Sequence, residues 1–225
     1  MIAIVAHRGA SRAERENTLR AFRRAAELGA DAVEFDVRRT ADDALVIHHN
    51  PHFPDGRLVR ATRFVDVPAE VPTLDEALDA CDGMWVNIEI KNDETEDDFD
   101  PTDRVADAVI EALIERGEPH RWLISSFRYE TIERCRNVAP SIATAWLTVE
   151  VDGETAAKVA AGGHRAVHPW FGNTTAEFIA DCHRLGVRVN VWTCDDPDWM
   201  RRLAAWQVDG ICTNVPDLAR EVLRD

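Results

Sequence analysis

The chain has 225 residues, 45% of them hydrophobic and 30% charged, a composition of a folded globular protein rather than a disordered one. Its net charge of −15 argues against a general nucleic-acid or anionic-membrane surface, so a phosphate-bearing ligand would need a cation or well-placed arginines. No apolar run approaches the ~20 residues of a membrane span, and Ile2-Ala3-Ile4-Val5-Ala6 is too short for a signal peptide, which makes the cytoplasm the expected compartment.

Residues 2–6 form a short apolar run that ends at His7-Arg8-Gly9, read as a buried parallel strand with the triplet just past its C-terminal end. A helix over 17–28 follows, with Leu19, Phe22 and Ala26 on one face and Gly29 as its stop. In the strand 31–37, Val33, Phe35 and Val37 alternate with Glu34 and Asp36. Strand residues two apart lie roughly 6.6 Å apart, close enough to share a cation. Such alternation also describes a half-solvated strand, but the flanking helical and apolar runs point to βα units, whose strands are covered on both faces. Residues 44–48 make a short hairpin-like strand leading into His49-Asn50-Pro51, and the proline-containing stretch 51–72 reads as a loop or small insertion.

Alternation resumes at Thr73, where Thr73 or Asp75 caps a short helix to Cys81. Strand 84–90 leads to Lys91 and an acidic run, Asp93 to Asp100, expected to be solvated. Helices over 102–116, 129–137, 153–161, 174–185, 197–205 and 215–223 then alternate with strands over 121–125, 142–147, 165–168, 187–192 and 208–212. Eight βα units and no linker suit a single-domain α/β chain folded as a (β/α)8 (TIM) barrel with a short insertion after the second strand. A doubly wound sheet is the alternative, but no glycine-rich phosphate fingerprint follows the first strand. Five scattered cysteines without a CxxC pair argue against a disulfide framework and a thiolate zinc site.

In such a barrel the strands' C-terminal ends carry the site. There fall His7, Arg8, Glu34, Asp36, His49, Glu89, Lys91 and Trp192. Three carboxylates, two histidines, an arginine and a lysine are the parts of metal-assisted phosphoester chemistry, with oxygen ligands suited to Mg²⁺ or Ca²⁺. Lys91 stands out because only two of the 26 basic residues are lysines; its plainer reading is a rim salt bridge.

His7-Arg8-Gly9 with Glu16-Asn17-Thr18-Leu19, Gly29 to Val37 with Thr40, Val46-Ile47-His48-His49, Asn87-Ile88-Glu89-Ile90-Lys91, Val191-Trp192-Thr193 and Asp209 to Pro216 together resemble the glycerophosphodiester phosphodiesterase family, over nearly the whole chain. The resemblance implies a TIM barrel that hydrolyses small glycerophosphodiesters to glycerol 3-phosphate and an alcohol, through a cyclic phosphate. It implies His7 and His49 as the acid/base pair, Glu34, Asp36 and Glu89 around one divalent cation, and Arg8 and Lys91 on the phosphate. Trp192 is a candidate wall for the substrate, as is Trp170. Lysophospholipid or lipid-like diesters are the second reading, and a silent phosphodiester-binding barrel the third.

Three positions depart from the family pattern. Asn50 and Asn214 stand where Asp is usual, and Arg15 where Pro is common. Asn50 removes a charge beside His49; the change at 214 reads as structural. Of the other histidines, His168 is the best outsider for the site and His52 a candidate for its mouth, while His48 is expected to pack or face solvent. His120, His164 and His183 read as surface or helix-end residues.

Overall fold

A computed structural model describes residues 1–224, with nine strands in one sheet. These are β1 (Ala3–His7), β2 (Ala32–Arg39), β3 (Leu45–Ile47), β4 (Trp85–Ile90), β5 (Trp122–Ser126), β6 (Ala143–Thr148), β7 (Ala166–Pro169), β8 (Arg188–Val191) and β9 (Gly210–Thr213). The order is β1-β9-β8-β7-β6-β5-β4-β2-β3, and β1 also pairs with β2. That last pairing closes eight parallel strands into a TIM barrel. The short β3 lies outside the ring, antiparallel to the end of β2.

Between the strands run α1 (Leu19–Glu27), α2 (Leu74–Ala80), α3 (Arg104–Arg116), α4 (Tyr129–Val138), α5 (Thr155–Ala161), α6 (Ala176–Arg184), α7 (Pro197–Ala205) and α8 (Pro216–Val222). Several begin later than periodicity alone suggests, because polar side chains bind the backbone first. Asp152 accepts the amides of Glu154 and Thr155 before α5. Thr18 caps α1 after Asn17 has taken a left-handed φ of 54°. At α2 the capping box is complete: Thr73 accepts from the Glu76 amide and Glu76 returns the bond.

β2 is buried on both faces. Val33, Phe35 and Val37 join Phe22, Ala25, Leu74 and Leu78 in the layer between barrel and helices, which sends Glu34, Asp36 and Arg38 inward. The inward row is therefore polar by the arithmetic of alternation. Register then sets the neighbours. His7 lies beside Glu34, Glu34 beside Asn87 and Asp36 beside Glu89, and Glu89 beside Ser125.

Within 51–72 lie two short 3-10 turns, Val59–Ala61 and Phe64–Asp66. Phe53 and Val59 pack with Val46 in a small apolar cluster, with Val67 and Val71 against it. The acidic run differs from expectation. Asp98 is buried, and Arg38, fully buried itself, forms ion pairs with Asp98 at 2.7 Å and Glu96 at 2.9 Å. A charge run is solvated only when no buried cation faces it, and here one does.

Candidate active site

At the C-terminal mouth of the barrel lies a cavity of about 210 Å³. His7, Arg8, Glu34, His49, Glu89, Lys91 and Trp192 line it, with Asn87, His168 and Asn190 below and Trp85, Phe127 and Leu147 forming an apolar wall. Trp170 is not among the lining residues; it is partly exposed and packs on Phe171. His52 lies outside the cavity too, 3.6 Å from Asp97.

Glu34, Asp36 and Glu89 each present a carboxylate oxygen within 4.8 Å of the others. The cluster could hold a metal ion. Asp36 has one oxygen held by Asn17 at 2.8 Å and near Arg8 at 3.3 Å. Its other oxygen, Oδ1, is buried without a hydrogen-bond partner among the described residues, and Lys91 stands 3.9 Å away. A buried, unpaired carboxylate oxygen is costly, and a shared cation would relieve it. Burial, reinforced by the charges of Asp36 and Glu89, pushes the Glu34 carboxyl well above its usual pKa. Burial also raises Glu89, against the opposing pull of Lys91. Burial acts on Asp36 in the same sense, but Lys91 and Arg8 outweigh it and hold this carboxyl below its usual range. Glu34 and Glu89 therefore favour retaining a proton or exchanging it for a cation, while Asp36 keeps its charge.

Two cations flank the acids. Lys91 donates to Glu89 at 2.9 Å, so the plain salt bridge and the cavity position coexist. Arg8 spans Glu16 and Asp36 through its guanidinium, and its backbone amide donates to Glu34 at 2.9 Å. Gly9, at φ 81°, makes this turn possible: a Cβ there would meet the Ala21 backbone at 2.7 Å.

The histidines enter from β1 and from the loop after β3. His7 Nδ1 is 2.8 Å from Asn214 Oδ1, and its Nε2 is 4.0 Å from Glu34. Burial and the nearby Arg8 charge lower the His7 pKa. His49 Nδ1 is 2.9 Å from Asn50 Oδ1. Burial lowers His49 as well, opposed by the Asp36 charge. The His49 carbonyl is gripped by Arg38, at 3.0 Å from Nε and 2.5 Å from Nη2. The charge clasp between β2 and the acidic loop thus also fixes the backbone of a cavity histidine.

The chain matches the model of the glycerophosphoryl diester phosphodiesterase family over residues 7–65 and 51–218. A glycerophosphodiester phosphodiesterase of Caldanaerobacter subterraneus is 30% identical over 98% of this chain and 97% of its own length. The chain belongs to the glycerophosphoryl diester phosphodiesterase family. The barrel also superposes on an Oleispira antarctica phosphodiesterase in complex with the product sn-glycerol-3-phosphate, at 22% identity and TM-score 0.91, covering 99% of this chain and 97% of that one. A glycerophosphodiester phosphodiesterase from Parabacteroides distasonis gives a TM-score of 0.87 at 24% identity, covering 99% and 97%.

The structure also places residues outside the proposed catalytic set. Asn87 is buried with its Oδ1 unpartnered among the described residues; its spacing two before Glu89 was the available signal. His168 does reach the cavity, accepting from Asn190 Nδ2 at 3.0 Å, and burial drives its pKa down to about 3. His164 is buried rather than superficial, 2.8 Å from Thr144. His48 packs on Phe53, as expected. Asn214 is not a remote structural change: it touches His7.

Proposed function

We propose that the protein hydrolyses small glycerophosphodiesters to glycerol 3-phosphate and a free alcohol, dependent on one divalent cation, Mg²⁺ or Ca²⁺. The observation that carries this reading is a cluster of three carboxylates, two of which line one cavity of about 210 Å³ together with two imidazoles, a volume for a headgroup-sized substrate rather than a lipid chain. The product bound in the Oleispira antarctica neighbour supports the same substrate class.

Glu34, Asp36 and Glu89 would hold the cation, whose all-oxygen ligand set favours a hard ion. Bound there, it would supply Lewis-acid neutralisation of phosphate oxygens. Arg8 and Lys91 take the remaining phosphate charge as it develops. Trp192, held by its Nε1 donating to the His168 carbonyl at 2.8 Å and edge-on to Phe127, walls the side where the alcohol sits.

The two imidazoles move the protons. As the substrate's neighbouring hydroxyl forms its bond to phosphorus, one imidazole takes the hydroxyl proton. The other gives its proton to the leaving alkoxide as that P–O bond breaks, which leaves a cyclic phosphate. Water then opens the ring with the proton transfers reversed, so each histidine ends as it began. Pure protein incubated with glycerophosphocholine and Mg²⁺ should yield glycerol 3-phosphate and choline. His7→Ala and His49→Ala should each lower kcat by about 10²–10⁴. Full turnover in both variants would reject the paired-histidine assignment.

A further inference from the structure

Asn214 stands between His7 and a carboxylate that the reaction does not use. Asp195 lies on the exposed rim after β8, yet three donors take its oxygens. The Asn214 amide nitrogen Nδ2 donates to Oδ2 at 2.7 Å. The Asn214 backbone amide and the Thr213 hydroxyl each donate to Oδ1 at 2.8 Å. A carboxylate only accepts, so the side-chain amide of Asn214 has one orientation open to it: Nδ2 toward Asp195, Oδ1 away. That oxygen receives the Ser11 hydroxyl at 2.7 Å and faces His7 Nδ1 at 2.8 Å. An oxygen so oriented demands a proton on Nδ1.

We propose that Asp195 and Asn214 are positioning residues that lock His7 in its Nδ1–H tautomer, so that Nε2 faces the cavity with a free lone pair. The tautomer of a histidine is set by the hydrogen bond its other nitrogen makes. Here that bond is made by a neutral amide whose direction is imposed by a fixed charge one step further out. His7 therefore enters the proposed reaction as a proton acceptor at Nε2. His49 has no such lock. Its neighbour Asn50 offers Oδ1 at 2.9 Å, but Asn50 is exposed and its Nδ2 makes no hydrogen bond among the described residues. That amide is free to turn over, and His49 is free to exchange tautomers. The asymmetry is built into two asparagines that look alike in the sequence.

The catalytic consequence rests on the phosphodiesterase reading; the tautomer does not, and it is read independently of turnover. The full chain is labelled with ¹⁵N-histidine, and the ring nitrogens of His7 are assigned by comparison with His7→Gln. At a pH where the ring is neutral, His7 should show a protonated Nδ1 and an unprotonated Nε2. Asp195→Asn is isosteric and keeps an oxygen for Thr213 and for the Asn214 backbone. Its new amide nitrogen then faces Asn214, turns that side chain over and presents Nδ2 to His7. The His7 tautomer should invert, and kcat should fall about 10–100-fold, as when an outer-shell partner of a functional histidine is lost, with KM little changed. The double substitution Asp195→Asn/Asn214→Asp restores an obligate acceptor opposite Nδ1. It should return the Nδ1–H form and recover most of the lost kcat. A protonated Nε2 in the parent protein would overturn the proposal, as would an unchanged His7 tautomer in a folded Asp195→Asn. The expected tautomers without turnover in any form would sustain the lock and reject the activity.

Discussion

Glu34 sits beside two other acids, with the backbone amide and the guanidinium of Arg8 offsetting its charge. Burial raises its carboxyl, and Glu89 is raised with it, so a cation entering the cluster competes with protons. Cation affinity should therefore fall as the pH is lowered toward the ordinary carboxylate range, and binding should release protons to the buffer. The stability sign follows from the same shifts. A carboxyl raised in the folded state contributes stability below its unfolded pKa, and that contribution is lost as pH rises through the folded value. The metal-free protein therefore carries a penalty at neutral pH that the cation removes. The increase in Tm on adding Mg²⁺ should grow with rising pH; calorimetry at several pH values, with chelator and with Mg²⁺, reads this. An increment that shrinks with pH would contradict the assignment. Glu34→Gln and Glu89→Gln should each weaken cation binding by at least about tenfold, since each removes a charged ligand.

Two elements hold the site together, and they differ in how far the sequence announces them. The turn after β1 depends on Gly9, where a side chain would face both a left-handed φ and the Ala21 backbone. Gly9→Ala should destabilise the protein by at least about 1–3 kcal/mol, measured by denaturant unfolding. The clasp of Arg38 on Glu96, Asp98 and the His49 carbonyl is the other. Arg38→Leu would leave Asp98 buried and unpaired and release the His49 backbone, at a cost of about 3–5 kcal/mol. A change below about 1 kcal/mol would show that the clasp relaxes into water.

The strands of the barrel were legible because alternation has a fixed period, and β2 displays its inward row as Glu34, Asp36 and Arg38. The gathering of Glu34, Asp36 and Glu89 followed from adjacent strand ends. What was not legible lies across long separations. Arg38 meets its carboxylates 58 and 60 residues away, and Asn214 meets His7 across 207 residues. Periodicity is a local signal, so it set which face each residue takes but not which loop folds onto it. For the same reason the buried partner of Asp98 and the relay behind His7 had no counterpart in the pattern of the chain.

At the scale of the whole molecule, acid should unfold this barrel partly through the histidine at the cavity floor. Burial holds His168 neutral, with its pKa driven down from the usual 6.5 to about 3. A histidine depressed in this way contributes stability above its unfolded pKa that is lost as pH falls through the folded value. The loss should run from about pH 6.5 toward 3, amounting to a few kcal/mol at roughly 1.4 kcal/mol per pKa unit. His168→Gln, which keeps a hydrogen-bonding end without the titration, should unfold along a shallower pH profile over that window. Unchanged steepness would place the acid sensitivity elsewhere.

With a net charge of −15, this barrel would handle a phosphodiester through a cation at Glu34, Asp36 and Glu89 that offsets the site's own acids. The most direct measurement is glycerol 3-phosphate release from glycerophosphocholine and glycerophosphoethanolamine by metal-stripped protein, before and after adding Mg²⁺ or Ca²⁺. Negligible turnover when stripped, restored by a divalent cation and absent in Asp36→Asn, is the expected result. Turnover that survives exhaustive chelation, or that Asp36→Asn leaves intact, would contradict it.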